Sequence, residues 1–415
     1  MSAPSDYICD GCGEPATLRC IRCLGAFYCG KECQKKKWHE HKVLCKSAAL
    51  TLDGKPADEF DNFFEEAKRL AEMGKASAQY NLGLCYARGT GVAVDFPMAI
   101  KWYTLAAEAG NTSAQVNLGT HLLNGNGVSV NKREAVNWFK LSAEAGHAGA
   151  QYNLGNCYSN GDGVAVDKRE AFKWFKRAAE AGNLNAQVNL GIFYLKGNGI
   201  PVDKREAVKW LTRSAEAGQV NAQVNLGNCY FNGYGITIDK REAVKWYTRA
   251  AEAGEIDAQF NLGVCYLQGD GTKVDECEAV KCFTHAAKAG HINAQYNLGT
   301  CFMSGSGVTV DKREGIKWFT RAAEAGNLIA QFCLGICYLK GDGIKVDKHE
   351  AVKWLTRAAD AGCVQSQFNL GVCFMRGDGV TVDKIEAIKW FTRAAEAGDT
   401  VAQTILDSDT SLDFV

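Results

Sequence analysis

The dipeptide Leu-Gly returns at 82/83, 118/119, 154/155, 190/191, 226/227, 262/263, 298/299, 334/335 and 370/371, a step of 36 residues every time. Tryptophan keeps the same step at 102, 138, 174, 210, 246, 318, 354 and 390, and gives way only at Cys282. A fixed period of this size means one supersecondary unit copied along the chain. Each copy buries its apolar side against the next, so the array must form a solenoid. The length of 415 residues, which alone suggests about three domains of ~150 residues, therefore describes something else. The 44 glycines change meaning too, because four recur at fixed places in each of nine units.

The unit reads AQxNLGxxYxxGxGVxVDKREAVKWxTRAAEAG and contains two helical stretches. In the first, Ala78, Leu82 and Tyr86 recur every four residues as one apolar stripe; in the second, Ala99, Trp102, Tyr103 and Ala106 do the same. Asp167 and Glu170 have the D-x-x-E spacing of a capping box, in which Asp accepts from the first free amides and Glu reaches back. Gly182 ends the second helix, Gly161 and Gly163 make the turn, and Gly155 lets helices approach. Lys173 and Arg177 are expected beside Glu170 and Glu180 on a self-neutralised outer side. The fold class is all-α: nine 36-residue helix pairs from 75–110 to 363–398. Residues 51–74 supply a linker and a worn capping helix over 61–74, and 399–415 a second cap around Ala402, Gln403 and Leu406, with a tail.

The eighteen cysteines divide into two populations. Eleven are spread over 85–373, and seven of these (Cys85, Cys157, Cys229, Cys265, Cys301, Cys337 and Cys373) share the repeat position two residues after Gly, where a small apolar packing role is expected. Equivalent thiols on helices ~9 Å apart exceed the ~7 Å Cα limit of a disulfide. The sixth unit departs most, with Cys277, Cys282, His285 and His291. Cys277 and Cys282 are five residues apart on a helix and so diverge, which reads as drift rather than a metal site.

The other seven cysteines fall within residues 1–50, at Cys9, Cys12, Cys20, Cys23, Cys29, Cys33 and Cys45. Two C-x-x-C pairs and one C-x-x-x-C pair suit tetrahedral zinc. The eighth ligand is His41 rather than His39, because His41 lies four residues before Cys45, on the same helical side. Spacing alone permits sequential or interleaved pairing. The run CDGC, CIRC, YCGKEC, QKKKW and the Trp38–His41–Cys45 spacing resembles the MYND-type zinc finger. The resemblance implies a cross-braced pair of structural zinc ions, one held by Cys9, Cys12, Cys29 and Cys33, the other by Cys20, Cys23, His41 and Cys45. It also implies a docking surface for short proline-containing peptides, lined by Gln34 and Trp38, which are one helical turn apart. Ile21 stands where the family carries serine.

Lys35, Lys36, Lys37, Lys42 and Lys46, with Arg19 and Arg22 nearby, form a basic patch. Eight Lys/Arg against five Asp/Glu in residues 1–50 leave a formal +3, which seven thiolates and two zinc dications cancel. Over the whole chain 47 basic residues match 47 acidic ones, which argues against general attraction to nucleic acid. No stretch reaches the ~18 apolar residues of a membrane span, and the first residues lack a signal-peptide pattern, so an intracellular protein of cytoplasm or nucleus is expected.

The repeated unit is similar to Sel-one-like repeats, relatives of the tetratricopeptide repeat, over 75–398. That resemblance implies a right-handed α/α solenoid whose first helices line an inner face. Asn81, Asn117, Asn153, Asn189, Asn225, Asn261, Asn297 and Asn369 form a ladder there, broken only at Cys333. Beside it run Tyr80, Val116, Tyr152, Val188, Val224, Phe260, Tyr296, Phe332 and Phe368. Each Asn can hold a bound backbone or serve the scaffold. An enzyme needs unlike groups converging once, whereas these faces recur nine times, so a non-enzymatic adaptor is expected. Two alternatives stand beside it: a nucleic-acid-associated regulator acting through the basic finger, and a methyltransferase like those that pair a MYND finger with a SET domain. No stretch outside the repeats is free to form a SET domain.

Overall fold

The computed structural model describes residues 18–19, 27–28 and 58–408. The proposed zinc ligands, Gln34 and Trp38, the basic patch apart from Arg19, and the end of the chain lie outside the described residues. Two short strands, β1 (Leu18–Arg19) and β2 (Phe27–Tyr28), pair antiparallel with Leu18 opposite Tyr28 and Arg19 opposite Phe27. All other described elements are helices.

The helices fall into two compact units. One runs up to Ala222 and includes Tyr234–Ile236; the other holds Gln223–Gly233 and the chain from Thr237. The first contains α1 (Asp58–Glu72), α2 (Ala76–Arg88), α3 (Phe96–Glu108), α4 (Thr112–Asn124), α5 (Lys132–Glu144), α6 (Ala148–Asn160), α7 (Lys168–Glu180), α8 (Leu184–Lys196) and α9 (Lys204–Glu216). The helix α10 (Val220–Asn232) has most of its length in the second unit. That unit continues with α11 (Lys240–Glu252), α12 (Ile256–Gln268), α13 (Glu276–Lys288), α14 (Ile292–Ser304), α15 (Lys312–Glu324), α16 (Leu328–Lys340), α17 (Lys348–Asp360), α18 (Val364–Arg376), α19 (Lys384–Glu396) and α20 (Thr400–Ser408). The even-numbered helices are the first helix of each pair, called A here; the odd-numbered ones from α3 are the second, called B.

The core is assembled as the apolar stripes require. Leu154 and Phe175 are buried, and a Cβ on Gly155 would stand 2.7 Å from the Phe175 ring, so the A and B helices of one repeat meet where no side chain intervenes. Trp174 then joins Ala143, Ala150 and Leu154 in a cluster that ties its repeat to the preceding one. In the second unit Trp318 does the same with Ala287 and Leu298. The seven in-register cysteines are all buried.

The helix starts differ from the expected capping box in one respect. The Asp167 carboxylate accepts from the Arg169 and Glu170 amides at 2.9 and 3.0 Å, as a cap should. Glu170 does not reach back, because the Asp167 amide already donates to the Tyr158 carbonyl at 2.9 Å. The Glu170 carboxylate pairs with Lys173 instead. Arg177 is likewise not beside Glu180: its guanidinium lies 4.8 Å over the Trp174 ring, and Lys176 is the cation near Glu180 at 3.9 Å.

The repeats are keyed together by contacts that the apolar pattern does not reveal. Gln115, buried in α4, donates from Nε2 to the Ala107 carbonyl at 3.1 Å, and Gln151, Gln187, Gln295, Gln331 and Gln367 repeat this bond at the same offset. Lys132 at the start of one B helix pairs with Asp162 in the turn of the next repeat at 2.7 Å; Lys240–Asp270, Lys312–Asp342 and Lys348–Asp378 are equivalent at 2.6 Å. That turn sits so close that a Cβ on Gly163 would lie 2.2 Å from the Lys132 carbonyl oxygen.

Candidate functional site

Six of the A helices are capped by polar side chains. Asn111, His147, Asn183, Glu255, His291 and Asn327 each accept from the amide three residues on, which starts the helix and fixes the direction of the face behind it. That face is almost without carboxylates: among the nine A helices of the repeats, Asp257 is the only acidic residue. All eight ladder asparagines stand half-buried on it.

Their bonding divides them. Asn189 donates to Asn156 of the preceding repeat at 3.3 Å, Asn117 faces the Tyr103 hydroxyl, and Asn369 donates to the Gln365 carbonyl at 2.7 Å. Asn225 also has a partner. Asn81, Asn153, Asn261 and Asn297 make no side-chain hydrogen bond among the described residues, so four amides in two sets remain for a ligand. The neighbouring row packs inward: Tyr152 lies 6.0 Å from Phe175, and Tyr296 stacks on Phe319 at 5.8 Å between centroids.

The outer face of the B helices is polar but satisfied. Six arginines cover tryptophan rings, with Arg249 and Arg393 at 4.5 Å, and Lys209–Glu206, Lys353–Glu350 and Lys389–Glu386 pair at 2.8 Å. In the first two repeats leucine replaces that arginine, and Leu105 and Leu141 are exposed.

Burial pushes the in-register thiols of Cys85, Cys157, Cys229, Cys265, Cys301, Cys337 and Cys373 up to about 11, which removes them from nucleophilic chemistry near neutral pH. In the sixth repeat Cys277 is exposed, Cys282 is half-buried, His285 contacts the Lys281 carbonyl, and His291 caps α14 while stacking on Phe260 at 4.4 Å. Among the described residues no three or more His, Cys, Asp or Glu side chains are placed to hold a metal ion. No described helix is long and apolar enough to cross a membrane. In the N-terminal segment, β1 leads directly into Cys20 and β2 into Cys29.

The Sel1 repeat model matches nine consecutive spans, from 76–111 to 364–399, and the MYND finger model matches 9–45. Among solved structures, the chain is similar to a protective antigen of uropathogenic Escherichia coli strains that displays an SLR fold. That match is 30% identical with TM-score 0.62, covering 92% of this chain and 88% of that one. A Sel1 repeat protein from Oxalobacter formigenes is 33% identical with TM-score 0.60, covering 74% and 90%. Curated relatives match over short stretches. Tudor domain-containing protein 1 of Oryzias latipes is 38% identical over 74 residues, 17% of this chain. Egl nine homolog 1 of Homo sapiens is 44% identical over 45 residues, 11% of this chain. Histone-lysine N-methyltransferase SMYD3 of Homo sapiens is 46% identical over 41 residues, 9% of this chain. The chain spans only 6%, 11% and 10% of the length of these three relatives, respectively.

Proposed function

Since the chain belongs to the Sel1 repeat family and carries a MYND finger ahead of its repeats, we propose that it is a non-enzymatic adaptor that holds one protein on its A-helix face and a short proline-containing segment on its finger. The observation that carries this reading is the repetition of one face, almost free of carboxylates, with free amides at Asn81, Asn153, Asn261 and Asn297. A carboxamide both donates and accepts, which suits an extended backbone whose own groups lack partners. Nothing on that face converges as a nucleophile, base and oxyanion donor would.

The finger reading rests on its donor set. Seven thiols and one imidazole are the soft and borderline ligands zinc prefers, and eight of them fill two closed tetrahedral shells. Cys9, Cys12, Cys29 and Cys33 would hold one ion, and Cys20, Cys23, His41 and Cys45 the other. With no open coordination position the metal would be structural, and Gln34 and Trp38 would meet the peptide. Elemental analysis is expected to find two zinc ions per chain; one per chain would remove the two-site reading.

The adaptor reading is tested by proximity labelling with three forms of the full chain: wild type, Gln34→Ala/Trp38→Ala, and the combined Asn81, Asn153, Asn261 and Asn297→Ala variant. Each variant is expected to lose a different subset of labelled proteins. Identical subsets in all three would refute the two-surface adaptor.

A further inference from the structure

Repetition makes any departure from the shared pattern conspicuous, and three coincide in the second unit. At Cys333 the ladder loses its asparagine. At 315 a glycine replaces the alanine found at this B-helix position in the other eight repeats, and a Cβ there would lie 2.9 Å from Met303 Sδ, so Met303 occupies the space the glycine leaves. Four consecutive repeats place an aromatic residue beside the ladder, at Phe260, Tyr296, Phe332 and Phe368, whereas the first unit alternates tyrosine with valine. Where these departures meet, a cleft of about 530 Å³ opens among Tyr296, Met303, Phe332, Cys333, Ile336 and Asn369. That volume is in the range of sites that take a ligand group, and its walls are mainly apolar.

Charge at the rim supplies the second half of the recognition. Lys340 lines the cleft, is exposed and makes no ion pair; Arg376, at the same position one repeat later, is exposed and equally unpaired. The three A helices involved, α14, α16 and α18, contain no aspartate or glutamate. Lys340 therefore stands at the cleft and Arg376 at the equivalent position of the next repeat, while the aspartates two residues after them, Asp342 and Asp378, are already paired with Lys312 and Lys348.

We propose that this cleft receives an aromatic side chain from an extended, acidic segment of a partner protein. The partner's carboxylates meet Lys340 and Arg376, while Asn297, whose amide is free, holds the backbone next to the missing rung. The assignment rests on the reading of the A-helix face as a binding groove and specifies what that groove selects. Cys333 matters here by being small and apolar: asparagine at this rung would put a polar amide where the ring packs.

The test uses the full zinc-loaded chain and a fluorescein-labelled peptide of about twelve residues with one Phe between Asp residues, followed by fluorescence anisotropy. Binding is expected to weaken about tenfold with Lys340→Glu/Arg376→Glu, and similarly with Cys333→Asn or with Ala for Phe in the peptide. The double charge variant changes two exposed, unpaired side chains, so its helical signal should be unaltered. A peptide with Lys in place of Asp should bind that variant better than wild type. Binding indifferent to Lys340, Arg376 and the Phe overturns the assignment. If the combined ladder variant still loses labelled partners, the groove reading survives that failure; if it loses none, both fall. Tenfold tighter peptide binding after removal of residues 409–415, whose sequence DTSLDFV has the same chemistry, would make the chain's own end the occupant and overturn a partner protein.

Discussion

At the scale of single residues, glycine and cysteine carry different burdens at each repeat position. Gly163 has φ +75° and a backbone oxygen 2.2 Å from where its Cβ would be, whereas Gly182 has φ +90° and open space around it. Gly182→Ala should therefore cost only the left-handed backbone penalty, about 1 kcal/mol, and Gly163→Ala at least about 3 kcal/mol, because the turn must also leave the neighbouring repeat. Urea unfolding of the two variants checks the order; equal costs would mean that the contact with the Lys132 carbonyl does not constrain the turn. The thiols give a pH dependence. Burial raises nine of them, the seven in-register cysteines with Cys282 and Cys333, from 9.0 to about 11. The folded state holds these protons longer than the unfolded chain does, so their contribution is complete below pH 9 and is lost as pH rises toward 11. Melting temperatures at pH 8 and pH 10.5 should differ in that direction, and substituting Ala at Cys157 and Cys301 should lessen the difference.

At the scale of elements, the sequence predicts helix starts well and their partners poorly. Asp167→Ala is expected to cost about 1 kcal/mol, since two amides lose their acceptor. Glu170→Ala should cost less than about 0.5 kcal/mol, since the glutamate forms an exposed pair with Lys173 and caps nothing. Comparable costs in thermal unfolding would restore the reciprocal capping box. The D-x-x-E spacing was legible, but which group claims the Asp167 amide depends on Tyr158, nine residues earlier on another helix. The two helices per repeat, the Gly turns and the buried Cys row were legible for the opposite reason: each follows from local periodicity or from one side chain's size. Gln115, Gln151 and their equivalents were visible as invariant polar residues within an apolar stripe, a signal that a structural carbonyl awaited them. Their acceptors, such as Ala107 at an offset of eight, come from the preceding helix and needed the fold. The cleft was half legible: Cys333 announced itself as a broken rung, but its coincidence with Gly315 and Met303 required three helices to be placed together.

At the scale of the whole molecule, the proposed reading gives finger and repeats different sources of folding free energy. Each repeat is stabilised by neighbouring repeats, through the Trp-centred clusters, the Gln bonds and pairs such as Lys348–Asp378 at 2.6 Å. On the proposed reading, a finger of about 50 residues is too small to fold on apolar contacts alone and would depend on its zinc ions. If both surfaces bind as proposed, joining them on one chain would make capture by one raise the effective concentration at the other without new contacts. Removing zinc should then separate the functions. With a strong chelator, the helical circular dichroism and its melting temperature should stay unchanged, since no described side-chain cluster in the repeats is placed to hold a metal. The Phe-containing acidic peptide should bind as before, and a proline-containing peptide captured through Gln34 and Trp38 should be released. Zinc added back in stoichiometric amount should restore that second activity alone. Loss of helical signal in step with zinc release would instead make the metal a support of the repeats, and the two surfaces could no longer be treated as independent arms of one adaptor.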